Sequence, residues 1–135
     1  MIRPLRRSNT VRASRSERGS LTVEWSILAP VAILVVFGII QTAFWFTART
    51  EAQGAAAAGA HSGSVHQAPE TAAAEAARDY LGQLGAENSE VSTRRTATTV
   101  TVTVTREVNR VMPIPGVPTQ VRQSATAEIE RWTQP

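Results

Sequence analysis

The sequence predicts an α+β chain: one long N-terminal membrane helix, then a small domain of one helix and a three-stranded antiparallel sheet. Three observations carry this. No charged residue occurs from Trp25 to Ala48, and about 20 apolar residues suffice for a helix to cross a bilayer. From Pro69 to Leu84 apolar residues recur at helical spacing. From Glu90 onward the period falls to two, most clearly in the Val-Thr alternation of residues 98–105.

The apolar run is interrupted only by Pro30 and Gln41. A membrane helix tolerates a proline where its neighbours re-satisfy the freed carbonyl. Trp25 near one end, and Phe44, Trp45 and Phe46 near the other, fall where aromatic side chains gather at membrane–water boundaries.

Charge divides the chain. All fourteen basic residues are arginine, and the net charge is +3. Residues 1–19 hold six arginines against Glu17 alone, a balance of +5, whereas the rest holds eight arginines against ten carboxylates, a balance of −2. Arginines just before an apolar run keep that end in the cytoplasm. The predicted topology is therefore single-pass in the cytoplasmic membrane, with the N-terminus inside and the C-terminal domain outside. A nucleic-acid surface would interleave basic and aromatic residues on the folded part, and that pattern is absent. With no cysteine there is neither a disulfide framework nor a thiolate metal site.

The organisation follows: a basic, polar leader over residues 1–19, expected to be disordered; the membrane helix and its extension over 20–62; and a small extracytoplasmic α+β domain over 63–135. Three readings compete for the leader. A secretory signal has an apolar core of about 7–15 residues, far shorter than this one. An uncleaved signal anchor satisfies composition alone. The third is a leader removed on the cytoplasmic side of the span, and it rests on Gly19, Ser20 and Glu24.

Gly19-Ser20-Leu21-Thr22-Val23-Glu24 sets a glycine at the membrane edge and a carboxylate five positions further on. This arrangement resembles the processing site of type IV pilin-like proteins. The fuller set, Arg18-Gly19, Val23-Glu24-Trp25, Pro30 and Phe37-Gly38-Ile39-Ile40, resembles the TadE-like pseudopilins of the tight-adherence (Flp-type) pilus. Trp25 departs from that family's usual phenylalanine or tyrosine.

The resemblance implies cleavage by a prepilin peptidase between Gly19 and Ser20. It makes Ser20 the new terminus and Glu24 the charge partner of its α-amine, or of a neighbouring subunit's. It implies a packing surface from Leu21 to Phe46, other pilin-like subunits as partners, and a minor pilin-like role in assembling tight-adherence pili or a related secretion apparatus. A carboxylate inside a span is costly unless paired, which makes Glu24 a functional candidate in its own right. The bland alternative is a hydrated glutamate in a helix's first turn, favoured by the dipole.

After the span the helix should continue and end near Gly59 to Gly63. Ala48, Ala52, Ala56 and Ala60 recur every fourth residue. Such a stripe suits close approach between subunits, or reflects only alanine's helix propensity. His61 to His66 reads as a loop, and its two histidines, five apart, lack the spacing of a helical metal pair. Pro69 and Glu70 should open the second helix, whose face is Ala73, Ala76, Ala77, Tyr80, Leu81 and Leu84, and Gly85 should stop it.

A partner strand over Val91 to Arg95 should turn near Thr96. The last strand presents Val121, Ala125, Ala127 and Ile129 on one face. Pro113 to Pro118 forms a rigid connection between the second and third strands, because proline cannot join a ladder. The Val-Thr-Val strand, the Pro-Gly connection and the Ser-Ala-Thr-Ala-Glu ending also resemble the family.

No nucleophile elbow, phosphate loop, metal cluster or supported carboxylate pair is present in the sequence. The expectation is a protein that is no enzyme, with no cofactor and no small-molecule substrate, working by helix packing. The reading from another class is an uncleaved membrane-anchored module whose outer domain binds an extracellular ligand.

Overall fold

A computed structural model describes residues 14–111, 113 and 115–131, with side chains from residue 23 onward. The chain forms α1 (Ser14–Ser64), α2 (Ala72–Gln83), β1 (Ser89–Arg95), β2 (Thr99–Glu107) and β3 (Gln120–Glu128), which is the α+β architecture read from the sequence. It divides into two compact units, Met1–Gly38 and Ile39–Pro135.

In the first unit the described structure is the N-terminal part of α1, which contains Pro30. From Val23 to Gly38 every residue is exposed except the half-buried Phe37. Of the leader, Ser14 to Arg18 continue the helical backbone of α1, and residues 1–13 lie outside the described part. The sequence supplies a reason, since Ser14 to Glu17 has the S-x-x-E spacing that favours a helix start.

In the second unit the sheet order is β1-β2-β3, with both pairs antiparallel. Val102 stands opposite Thr93 and Ala125, and Val104 opposite Val91 and Gln123. Because side chains alternate between faces, Val100, Val102 and Val104 all point to one side, where they are buried, while the intervening threonines are half-exposed. The opposing layer comes from both helices. Ala52, Ala55, Ala56 and Ala60 of α1 join Ala73, Ala77 and Leu81 of α2 over those valines.

The small residues of α1 set the depth of that packing. A Cβ built on Gly59 would lie 2.6 Å from the Ala73 carbonyl and 3.2 Å from Val102 Cγ1. One on Gly63 would lie 2.8 Å from Ala73 Cβ and 2.9 Å from Val100 Cγ1. The sequence expected α2 to cover the sheet. In fact α1 shares in the cover, and its alanine stripe is buried by the chain's own domain.

Two local details differ from expectation by a few residues. Helix α1 runs through His61 to Ser64, where a loop was expected. Helix α2 begins at Ala72, because Pro69 to Thr71 form a preceding turn closed by the Ala72 N–H on the Pro69 carbonyl at 3.1 Å. Gly85 does end α2. Its φ of +66° is open to glycine at low cost. The Ala86 N–H bonds the Leu81 carbonyl (2.9 Å) and the Gly85 N–H the Gly82 carbonyl (3.1 Å), a Schellman cap with Ala86 buried behind it.

Arg95 donates to the Gly63 and Ala68 carbonyls at 3.3 and 3.2 Å. That places a cation where the dipole at the end of α1 favours one.

Candidate functional site: the apolar helix and its boundary

Gly19 and Ser20 lie on the helical backbone of α1. Four residues beyond Ser20, Glu24 is exposed. A separation of four residues puts two positions on one helix face, so the backbone sets Ser20 and Glu24 on the same side, about 6 Å apart along the axis. That spacing suits an amine at Ser20 meeting a carboxylate at Glu24.

The exposed apolar stretch runs from Val23 to Ile40, and Gln41 is the first buried position after it. Eighteen helical residues rise about 27 Å, close to the ~30 Å hydrocarbon thickness of a bilayer. The one described helix long and apolar enough to cross a membrane is the part of α1 from Val23 to Ser64.

Sequence reasoning treated Gln41 as an interruption; the structure gives it partners. Its Nε2 donates to the Asn109 carbonyl at 3.3 Å, and its Oε1 accepts from the Val111 N–H at 3.1 Å. The amide is only 8% exposed. It thus hooks the β2–β3 connection to α1 by two backbone groups. A lone amide in an apolar run was the available signal, but nothing in the sequence named the partner.

One turn later the half-buried Trp45 packs on a second cluster, Ala48, Val108 and Val121. Its ring meets Phe46 edge-on with centroids 5.2 Å apart, and the Arg49 guanidinium sits 5.5 Å from its centre. A tryptophan beside the first cation after the apolar run is the arrangement expected at a membrane–water boundary. Further along, Glu51 of α1 pairs with Arg106 of β2, both half-buried, and the partial burial lowers the Arg106 pKa below its usual value.

The remaining candidates resolve simply. His61 and His66 are exposed, and no group of three metal-binding side chains occurs among the described residues. Tyr80 is 37% exposed and lies over Gly54, an edge-of-core position. An open hollow of about 550 Å³ is lined by Thr98, Thr99 and residues 128–131 at one end of the sheet.

The features that stand out are thus an exposed apolar helix bounded by an aromatic–arginine pair, with a small α+β domain built on the helix's own C-terminal half. These define a chain with one helix long and apolar enough to cross a membrane, carrying a small α+β domain. A family model described as TadE-like protein matches residues 19–61, so the resemblance read from the sequence holds over that stretch, and the segment is TadE-like. No curated protein and no solved structure matches the chain. The matched stretch contains every residue singled out for processing and charge pairing, together with the alanine stripe.

Proposed function

We propose that the protein is a minor pilin-like subunit for assembly of tight-adherence pili or a related secretion apparatus. It is made as a precursor, held by α1 in the cytoplasmic membrane, and cut by a prepilin peptidase between Gly19 and Ser20. The arginines of residues 1–19 hold the leader inside, and the domain built from residues 63–135 lies outside. The observation that carries this reading is the TadE-like match, which opens at Gly19 itself.

Cleavage there would free an ammonium at Ser20, one helical turn from Glu24. A carboxylate at the edge of a span is stabilised by such a partner, whether the amine is its own or a neighbouring subunit's. Glycine also suits the cut, because it weakens a helix by about 1 kcal/mol relative to alanine and so eases local opening for a peptidase. The work is assembly through helix packing, with no chemical turnover.

The test is the N-terminus of protein isolated from membranes, with and without the peptidase. A mature chain starting at Ser20 only when the peptidase is present is the expected result. A chain starting at Met1 in both would overturn processing and leave an anchored binding module.

A further inference from the structure

We propose that the β2–β3 connection is a second membrane-contacting element, seated in the lipid headgroup layer beside α1. This rests on the reading that α1 spans the membrane. Three observations converge.

The first is depth. Gln41 holds the connection at Asn109 and Val111, and Gln41 precedes the Trp45–Arg49 pair by four to eight residues. With a rise of 1.5 Å per residue, the anchoring point lies about 6–12 Å to the apolar side of that pair. If Trp45 and Arg49 mark the water edge, the connection starts within the interfacial layer.

The second is composition. From Val111 to Pro118 the sequence holds no charged residue and no hydroxyl or amide side chain. Val111, Pro113, Pro115 and Pro118 are exposed, and Val117 is half-buried. On the same level of α1, Ile40 is 37%, Phe44 38% and Phe46 56% exposed, so helix and connection both present apolar side chains to their surroundings at this depth. Arg110, just before this stretch, is exposed and long enough to reach phosphate while its stem stays in apolar surroundings.

The third is backbone polarity. Irregular backbone is costly near lipid because its N–H and C=O groups lose water. Here Pro113, Pro115 and Pro118 have no N–H to satisfy. The Val111 N–H and Asn109 carbonyl are both taken by Gln41, and the Val108 N–H is taken by the Thr119 carbonyl at 2.9 Å.

The natural chain has no cysteine, so Val111→Cys and Val117→Cys each offer one labelling site. Each full-length variant carries an NBD probe and is reconstituted at low protein density in phosphatidylcholine–phosphatidylglycerol vesicles. Ser124→Cys on the sheet and Ile33→Cys in the span serve as references. The expected result is a blue shift at 111 and 117 and loss of emission to lipid spin-labelled near the headgroup. Ser124 should respond only to aqueous iodide, and Ile33 to deep spin labels.

Iodide access at 111 and 117 equal to that at Ser124, with Ile33 still deep, would overturn the proposal and leave the span intact. A blue shift without lipid quenching would overturn it too, since protein would then cover the connection. Iodide access at Ile33 would instead sink the spanning reading itself.

Discussion

Replacing Gly59 with alanine tests whether the small-residue face of α1 belongs to this chain's own core, because the two possibilities predict opposite signs. On a free helix surface Gly→Ala stabilises by about 1 kcal/mol, through helix propensity and a less mobile unfolded chain. In the packed position the new methyl would lie 2.6 Å from the Ala73 carbonyl oxygen, 3.0 Å from Ala77 Cβ and 3.2 Å from Val102 Cγ1. A backbone carbonyl cannot swing aside as a side-chain tip can, so α2 must move. Overpacking of this kind costs about 1–3 kcal/mol, which exceeds the propensity gain over most of its range. The net expectation is a loss of about 0–2 kcal/mol, centred on about 1 kcal/mol, which is a fall in Tm of roughly 4–8 °C for a domain of this size.

The control is Gly82→Ala in α2, where a Cβ would meet nothing within 4 Å and Tm should rise by roughly 4–8 °C. Thermal melts of the detergent-solubilised chain, followed by circular dichroism, measure both. If Gly59→Ala melts at or above the parent temperature while Gly82→Ala behaves as stated, α1 is not packed against α2 and β2 as described. The face would then be free for other subunits.

Gly19→Leu should leave the precursor at full length by intact mass, and shortening at Ser20 in that variant would remove the glycine's assigned role. Glu24→Leu should insert normally yet reduce pilus output; unchanged filament counts would dismiss the charge pair. Gln41→Leu strands the Asn109 carbonyl and the Val111 N–H, for a loss of about 1–2 kcal/mol, visible as faster amide exchange at Val111. Glu51→Leu should destabilise by about 1–2 kcal/mol, less than for a fully buried pair because both partners keep some water. Adding Arg106→Met should restore most of that loss, and a double variant as weak as the single one would deny the pairing.

Much of the fold is legible in the sequence because its signals are local. The Val-Thr alternation is a period-two pattern whose buried face needs no knowledge of the partner, and β2 is found where it predicts. Gly85 ends α2 for a backbone reason that any observer of a helical pattern followed by glycine can state. The apolar run and its aromatic ends reflect transfer from water, which depends on composition alone.

What was not legible depends on contacts distant in sequence. Ala52, Ala56 and Ala60 are equally good seams for a second subunit, for lipid or for the chain's own sheet, and only the placement of Val100 to Val104 across from them decides. Gln41 is the same problem in polar form. An amide in an apolar stretch demands partners, yet those partners lie 68 and 70 residues further along. The proposed processing residues are read through resemblance alone, since a glycine and a glutamate at a helix start carry little chemistry by themselves.

The division of α1 between two surroundings narrows how subunits would meet. Its C-terminal half has buried Ala48, Ala52, Ala55, Ala56 and Ala60 within its own domain, so the side of that half carrying the alanines is not offered to a neighbour. Under the proposed role, helix packing between subunits would draw on the exposed stretch Val23 to Ile40, continued by the outward residues Phe44 and Phe46. That stretch holds large side chains such as Ile27, Leu28, Ile33 and Leu34 at more than half exposure, with Gly38 its one glycine and Ala29, Ala32 and Ser26 its other small residues. In lipid, where apolar side chains gain little by leaving their surroundings, association relies on close fit and polar pairing. A span so rich in bulky residues gives the polar pair at Ser20 and Glu24 a larger share of the specificity. Loss of Glu24 should therefore weaken assembly more than truncation of any one of those large side chains to alanine. Equal losses in cross-linking yield between Glu24→Leu and Ile33→Ala would place the specificity in the apolar packing instead.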